Sequence, residues 1–296
     1  MTTTDRTDAQ RYSRKMRLRR AITETLLNLL LCILIGIILI PILYMILISF
    51  KGRSEILNTA APFWPTTWHV ENYPQMWKQI RFGPLFLNSA IVVGVTTLVA
   101  TFFAALAGYA LARFRFPGSG AYSLAVVGTQ IIPGSLFLIS LYLTFLWIKN
   151  TLHIPLIGNN LGGIVLYVGF YTPISIWIVR GFFASIPPDL EEQAMVDGAT
   201  RFQAFWRISL PLALPGIVST AIYVFMTAWD EMLFGYTIGI ETIPVGVRKF
   251  VQGAAGTQLR FDYMAAASVV VTIPITIMFL ALQRHFIRGL TAGAVK

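Results

Sequence analysis

Residues 187–216 read PPDLEEQAMVDGATRFQAFWRISLPLALPG and lie between two hydrophobic segments. The stretch is too polar to sit in lipid and too well punctuated for a slack loop. Pro187 and Pro188 suit the first turn of a helix. Asp189, Glu191 and Glu192 crowd that turn, where the positive end of the helix dipole favours carboxylates. Gly198 fits a C-terminal stop. Thr200, with Gln203 three residues on, has the form of a capping box opening a second helix, and Leu210-Pro211 reads as its end. The sequence thus predicts two short helices bent at Gly198, over about 184–211, at a membrane surface. Ala194 and Gly198, four apart, leave one face small enough for a partner to approach closely. Phe202, Phe205 and Trp206 give the second helix apolar bulk. On spacing alone the stretch also fits an amphipathic hairpin that only joins two spans.

The surroundings are membrane. Of the 296 residues 56% are hydrophobic and 12% charged, well under the roughly 25% charge of soluble domains. A helix needs about 20 apolar residues to cross the hydrocarbon core. Six segments approach that, at about 26–49, 86–111, 122–147, 161–183, 212–238 and 264–283, with only Arg180 and the Asp230-Glu231 pair charged within them. The expected fold is therefore all-α: a basic tail over 1–20, then one polytopic domain of six transmembrane helices over 21–296.

The net charge of +10 is a topology signal. With the N-terminus inside, fifteen Lys and Arg fall on the inner side and eight on the outer, as the positive-inside rule expects with both termini cytoplasmic. This placement argues for contact with acidic lipid and against nucleic acid. The tail RYSRKMRLRR is expected to be disordered or to lie on the inner lipid face. The first apolar run is longer than a signal-peptide core. Its Cys32, the chain's lone cysteine, has no partner for a disulfide or a metal site.

Other features place the connections. Residues 50–85 form an outer loop rich in Pro and Trp, which suits the headgroup region. Asn88 and Ser89 open the second segment, and LARFRFPGSG is a short inner turn. Pro41 is a candidate kink. The Pro133-Gly134 pair breaks the third segment, which lipid tolerates where the freed backbone faces protein or a water-filled path. Gly162, Gly163 and Gly169 allow close helix packing.

No catalytic or metal constellation is present. A phosphate-binding loop needs Lys followed by Ser or Thr, and none of the six lysines has one. His69, His153 and His285 are scattered. Trp229-Asp230-Glu231, about 30 Å along its helix from Pro211, is the remaining concentration of chemistry. Carboxylates in a membrane usually face protein or water, and an indole beside carboxylates is a common way to hold a sugar. Helix packing explains the same cluster.

Glu192-Gln193-Ala194, three residues, Gly198, nine residues, then Ile208-Ser209-Leu210-Pro211 resembles the E-A-A-x3-G-x9-I-x-L-P signature of bacterial ABC importer permeases. Gln193 stands where Ala is usual. ENYPQMW, NSAIV, WDEMLF and the C-terminal QRHFIRGLTAGAVK are similar to the carbohydrate-uptake branch, specifically its maltose-type second permease, over about residues 25–296. Asp230 and Met232 depart from its usual Trp-Asn-Glu-Phe.

The resemblance implies a permease subunit of a binding-protein-dependent importer, forming half of a sugar path in a bacterial or archaeal cytoplasmic membrane. A second permease, two cytoplasmic ATPase subunits and an extracytoplasmic sugar-binding protein would be its partners. ATP and Mg²⁺ would be bound by the ATPases, and no cofactor by this chain. Glu192, Ala194, Asp197, Gly198, Ile208, Leu210 and Pro211 fall at the positions that couple to the ATPases. Trp229, Asp230 and Glu231 are candidates for the substrate path, and Tyr44, Phe137, Tyr142 and Phe225 for its lining or for bundle core. The outer stretch 240–263, with Gly253, Gly256, Thr257 and Gln258, would meet the binding protein. Arg284 and Arg288 would lie near the ATPases or acidic lipid. Glycerol-3-phosphate or a phosphodiester is the alternative cargo, although no span carries a central Arg to receive a phosphate. An ion-coupled carrier would need a central carboxylate near broken helices in repeated halves.

Overall fold

The computed structural model describes residues 3–252 and 259–294, with side chains over 20–250 and 259–283. Among the described residues all regular structure is helical, and six helical stretches are long and apolar enough to cross a membrane. The expected all-α architecture holds, with several shifted boundaries.

Helix α1 (Thr3–Ser49) contains the first span, Arg20–Ser49. The basic tail is helical and runs into the span without a break, which removes the disordered alternative of the two expected for it. Nothing between Thr3 and Ile35 is Gly or Pro, and Arg, Lys, Leu, Met, Gln and Ala all sustain a helix. The helix also continues through Pro41. Two short helices, α2 (Arg53–Leu57) and α3 (Asn72–Gln79), organise the loop between the first two spans. Trp64, Trp68 and Trp77 project from it, where an amphipathic indole suits a lipid–water boundary.

The second span, α4 (Phe82–Arg113), starts six residues before the expected Asn88, because Phe82 and Leu85 are drawn into the core and Pro84 is harmless in a first turn. The third segment is broken as its Pro133 demands: α5 (Ser119–Gly128), an irregular stretch, a tight turn at Gly134–Phe137, then α6 (Leu138–Leu152). The fourth span, α7 (Asn160–Ser185), is capped by the Asn159 side chain, which accepts from Leu161 N at 2.9 Å.

At the far end of α7 come α8 (Asp189–Val196) and α9 (Arg201–Ala204). Leu210-Pro211 does not end the second helix. The chain passes through a wide π turn at Phe205–Ser209 directly into α10 (Leu210–Trp229). The extra residue in that turn relieves the missing N–H and ring clash of Pro211. The fifth span ends at Trp229, nine residues short of the expected 238. Helices α11 (Leu233–Ile238), α12 (Ile243–Val247) and α13 (Lys249–Gln252) follow, then α14 (Phe261–Ala294), whose Phe261–Gln283 part is the sixth span.

Spans two and four form the spine of the bundle. At Gly108 a Cβ would lie 3.0 Å from Arg180 N and 3.3 Å from Ile176 O, so only glycine lets the backbones approach this far. Gly162 and Gly163 also pack closely, against Leu156 and against Val92 and Ile240, but Gly169 borders open space. Spans five and six complete two apolar cores. One, at the Trp229 end of span five, centres on Phe82, Leu85, Tyr167, Trp229 and Ile238, and the other, at its Leu210 end, on Val179, Phe183, Phe205 and Ala213. Spans one and three keep most of their apolar surface uncovered.

Candidate functional site

The loop between α7 and α10 is built for stiffness. Helix α8 ends on Gly198, at φ +90°, with Gly198 N donating to Met195 O and Ala199 N to Ala194 O. The positive φ is why glycine stands there. The capping box of α9 is complete: Gln203 N donates to Thr200 Oγ1 at 3.2 Å and Thr200 N to Gln203 Oε1 at 2.9 Å.

What fastens this pair to the bundle is Glu191, a residue the sequence reading took only for a dipole partner. Its carboxylate accepts from Arg113 Nε at 2.7 Å, Tyr109 Oη at 2.9 Å and the Ser209 hydroxyl. Both side chains of the ion pair are about nine-tenths buried. Burial opposes the charge, but the bonds from Ser209, Arg113 and Tyr109 outweigh it and hold the Glu191 carboxyl below the usual range. The Tyr109 ring packs on Phe205 at 4.5 Å and Phe183 at 5.4 Å. One carboxylate thus ties the end of span two, helix α8 and the start of span five together. The available signal was Tyr109 and Arg113, four apart at the C-terminal end of span two, in a chain whose later loop carries two adjacent glutamates.

Glu192 points the other way and is exposed, as are Asp197 and Gly198. Ala194, Asp197, Gly198, Gln203, Arg207 and Ile208 border a concavity of about 470 Å³ on this surface. Phe202 and Trp206 stand exposed beside it. Leu210 is half-buried and Pro211 exposed at the joint with span five, so these two serve the connection more than the concavity.

At the opposite end Trp229 is buried, with its ring stacked on Phe225 at 5.4 Å and edge-on to Phe86 at 5.9 Å. Its face is covered. Glu231 lies in the break after span five, accepting from Tyr167 Oη at 2.6 Å, Phe234 N at 2.8 Å and Gly235 N at 3.1 Å. It caps α11, which is why the helix ends early. Asp230 alone of the three is exposed. Tyr44 stacks on Phe63 in the loop after span one, Phe137 meets Phe170, and Tyr142 is exposed on α6. Gly253, Gly256, Thr257 and Gln258 lie outside the described residues, as do the side chains of Arg284 and Arg288. Just beyond that stretch Arg260 N bonds to Phe250 O, and Arg260 forms a forked pair with Asp262, with Nη2 2.7 Å from Oδ2.

The chain is thus a helical bundle with six apolar spans and one stiff, exposed helix pair at one end. Residues 100–292 match the family described as binding-protein-dependent transport system inner membrane component, and the chain belongs to that family. It is 32% identical to the trehalose/maltose transport system permease protein MalG of Thermococcus litoralis, over 94% of this chain and 99% of that one. The diacetylchitobiose uptake system permease protein DasC of Streptomyces coelicolor is 33% identical over 86% of this chain and 91% of its own. In fold the chain is similar to a subunit of a bacterial ABC transporter that imports the acidic polysaccharide alginate, with a TM-score of 0.72, 21% identity, and coverage of 90% and 97% of the two chains. The expected ABC importer permease and multi-pass membrane protein are thereby borne out.

Proposed function

We propose that this chain is one permease half of an ABC importer for a neutral mono-, di- or oligosaccharide. It works beside a different second permease, two cytoplasmic ATPase subunits and an extracytoplasmic binding protein. Relatives named for trehalose, maltose, diacetylchitobiose and maltodextrin support the cargo class. On this reading both termini are cytoplasmic, residues 21–296 form the transmembrane domain, and ATP and Mg²⁺ belong to the ATPases. The chain itself is not catalytic.

The observation that carries the proposal is the pairing of an exposed Glu192, Asp197 and Gly198 surface with a buried Glu191 anchor in one loop. A handle transmits force only if it is stiff and fixed to what it moves. ATPase closure pressing on the concavity moves α8 and α9, and the Glu191 contacts carry that movement into spans two and five. Rigid-body rocking of spans about a central site is alternating access. The uncovered apolar flanks of spans one and three are available to the second permease and to lipid.

The test is purification of this chain with its co-expressed neighbours, followed by reconstitution in vesicles. The reading expects a second six-span permease and an ATPase to accompany it, with hydrolysis stimulated by trehalose, maltose or diacetylchitobiose once the binding protein is added. A chain that purifies alone and transports on a proton or sodium gradient overturns it.

A further inference from the structure

The break in span three has chemistry that import alone does not assign. Helix α5 ends at Gly128 after ten residues, about 15 Å of rise, half of a roughly 30 Å hydrocarbon core. Pro133 then holds the chain extended, at φ −56° and ψ 127°. Among the described residues no donor reaches the carbonyls of residues 129–132. Beside the break, Pro173 lies inside α7 and cannot donate to the Gly169 carbonyl four residues back. Both prolines therefore free backbone acceptors at the same depth. Thr129, Gln130, Phe137, Gly169, Phe170 and Pro173 border one cavity of about 270 Å³.

Bare carbonyls at this depth are tolerated only against protein or in a water-filled cavity, never against lipid. This chain does not cover them, since residues 129–133 are all exposed. The Gln130 amide donates to Thr129 Oγ1 at 3.2 Å, leaving its own oxygen free. Phe137 and Phe170, with ring centroids 6.4 Å apart, supply apolar faces. No carboxylate borders the cavity to balance a cation. Clustered acceptors, one amide and aromatic faces suit a neutral polyhydroxyl ligand, whose O–H groups donate and whose C–H faces pack on rings.

We propose that the span-three break and the middle of span four form a sugar-binding station on the translocation path, with the residue 129–132 carbonyls and Gln130 bonding sugar hydroxyls. The assignment rests on the sugar-import reading.

Because Cys32 is the chain's only cysteine, C32S gives a cysteine-free background. In the full complex, C32S with Q130C or T129C is treated with a membrane-impermeant charged thiol reagent. The probe sugar is whichever of trehalose, maltose and diacetylchitobiose stimulates hydrolysis. We expect both positions to react and the sugar to slow the reaction. Q130L in the wild-type background should raise the uptake KM between about two- and tenfold, the loss of one hydrogen bond. A transporting complex whose two cysteines are inert to the reagent overturns the station, since lipid or the second permease then covers the break. Reaction without protection by sugar overturns it as well. A complex that moves no sugar overturns the import reading instead, so the two failures are distinguishable.

Discussion

The Glu191 carboxylate and the Arg113 guanidinium, 78 positions apart in sequence, meet at 2.7 Å beneath the loop that faces the ATPases on our reading. Adjacent glutamates therefore divide two tasks. Glu192 is exposed, a contact for the ATPase on our reading, and Glu191 turns inward to hold the loop.

Removing one member of a buried pair strands the other. E191A should cost about 3–5 kcal/mol, read as a lower Tm in detergent, and should abolish uptake even where the complex still assembles. E191Q should cost less, because its amide oxygen still accepts from Ser209 and Tyr109. An unchanged Tm for E191A would show that Glu191 does not anchor the loop.

The same pair sets an acid limit. The folded Glu191 carboxyl is held below its ordinary value, so its contribution is complete at neutral pH. It is lost progressively as pH falls from about 4.3, the value for a free glutamate, through the lowered folded value. Thermal unfolding from pH 7 to pH 3 should show a fall in Tm on the acid side that is shallower in E191Q.

Glu192 should behave in the opposite way. E192K leaves the Tm of the isolated subunit within experimental error, since the side chain is exposed, yet reduces recovery of the ATPase on co-purification. Unchanged recovery together with normal uptake would move the docking contact elsewhere.

Gly198 occupies a backbone region that Pro cannot enter, +90° against about −65°. G198P should leave the protein in the membrane with hydrolysis no longer linked to uptake. Normal uptake by this variant would defeat the coupling role of the bend.

Gly108 tests the spine. A leucine there meets the Arg180 and Ile176 backbone, which cannot swing aside, and overpacking of this kind costs about 1–3 kcal/mol. G108L should lower the Tm, whereas G94L, where a Cβ has open space, should not.

Much of this was legible in the chain. Gly198 gave the end of the first loop helix and the Thr200-x-x-Gln203 box the start of the second, because caps are local and a few neighbouring residues fix them. Pro133 announced the break in span three. Pro211 misled: the expected stop is absorbed by a π turn whose existence depends on how Phe205 and Ser209 pack against Tyr109 and Glu191. The fifth span was read too long because WDEMLF is apolar enough to continue a helix, and only Tyr167 on another span fixes Glu231 where it caps α11.

By itself, then, the sequence determined the membrane class, the six apolar spans and the bent surface loop. These follow from hydropathy and local backbone rules that act within about one or two helical turns. Which of two neighbouring glutamates is buried and which is exposed, where the fifth span stops, and whether Trp229 offers or hides its face were decided by tertiary structure. Each depends on a partner tens of residues away, such as Arg113, Tyr167 or Phe86, whose direction no local pattern encodes.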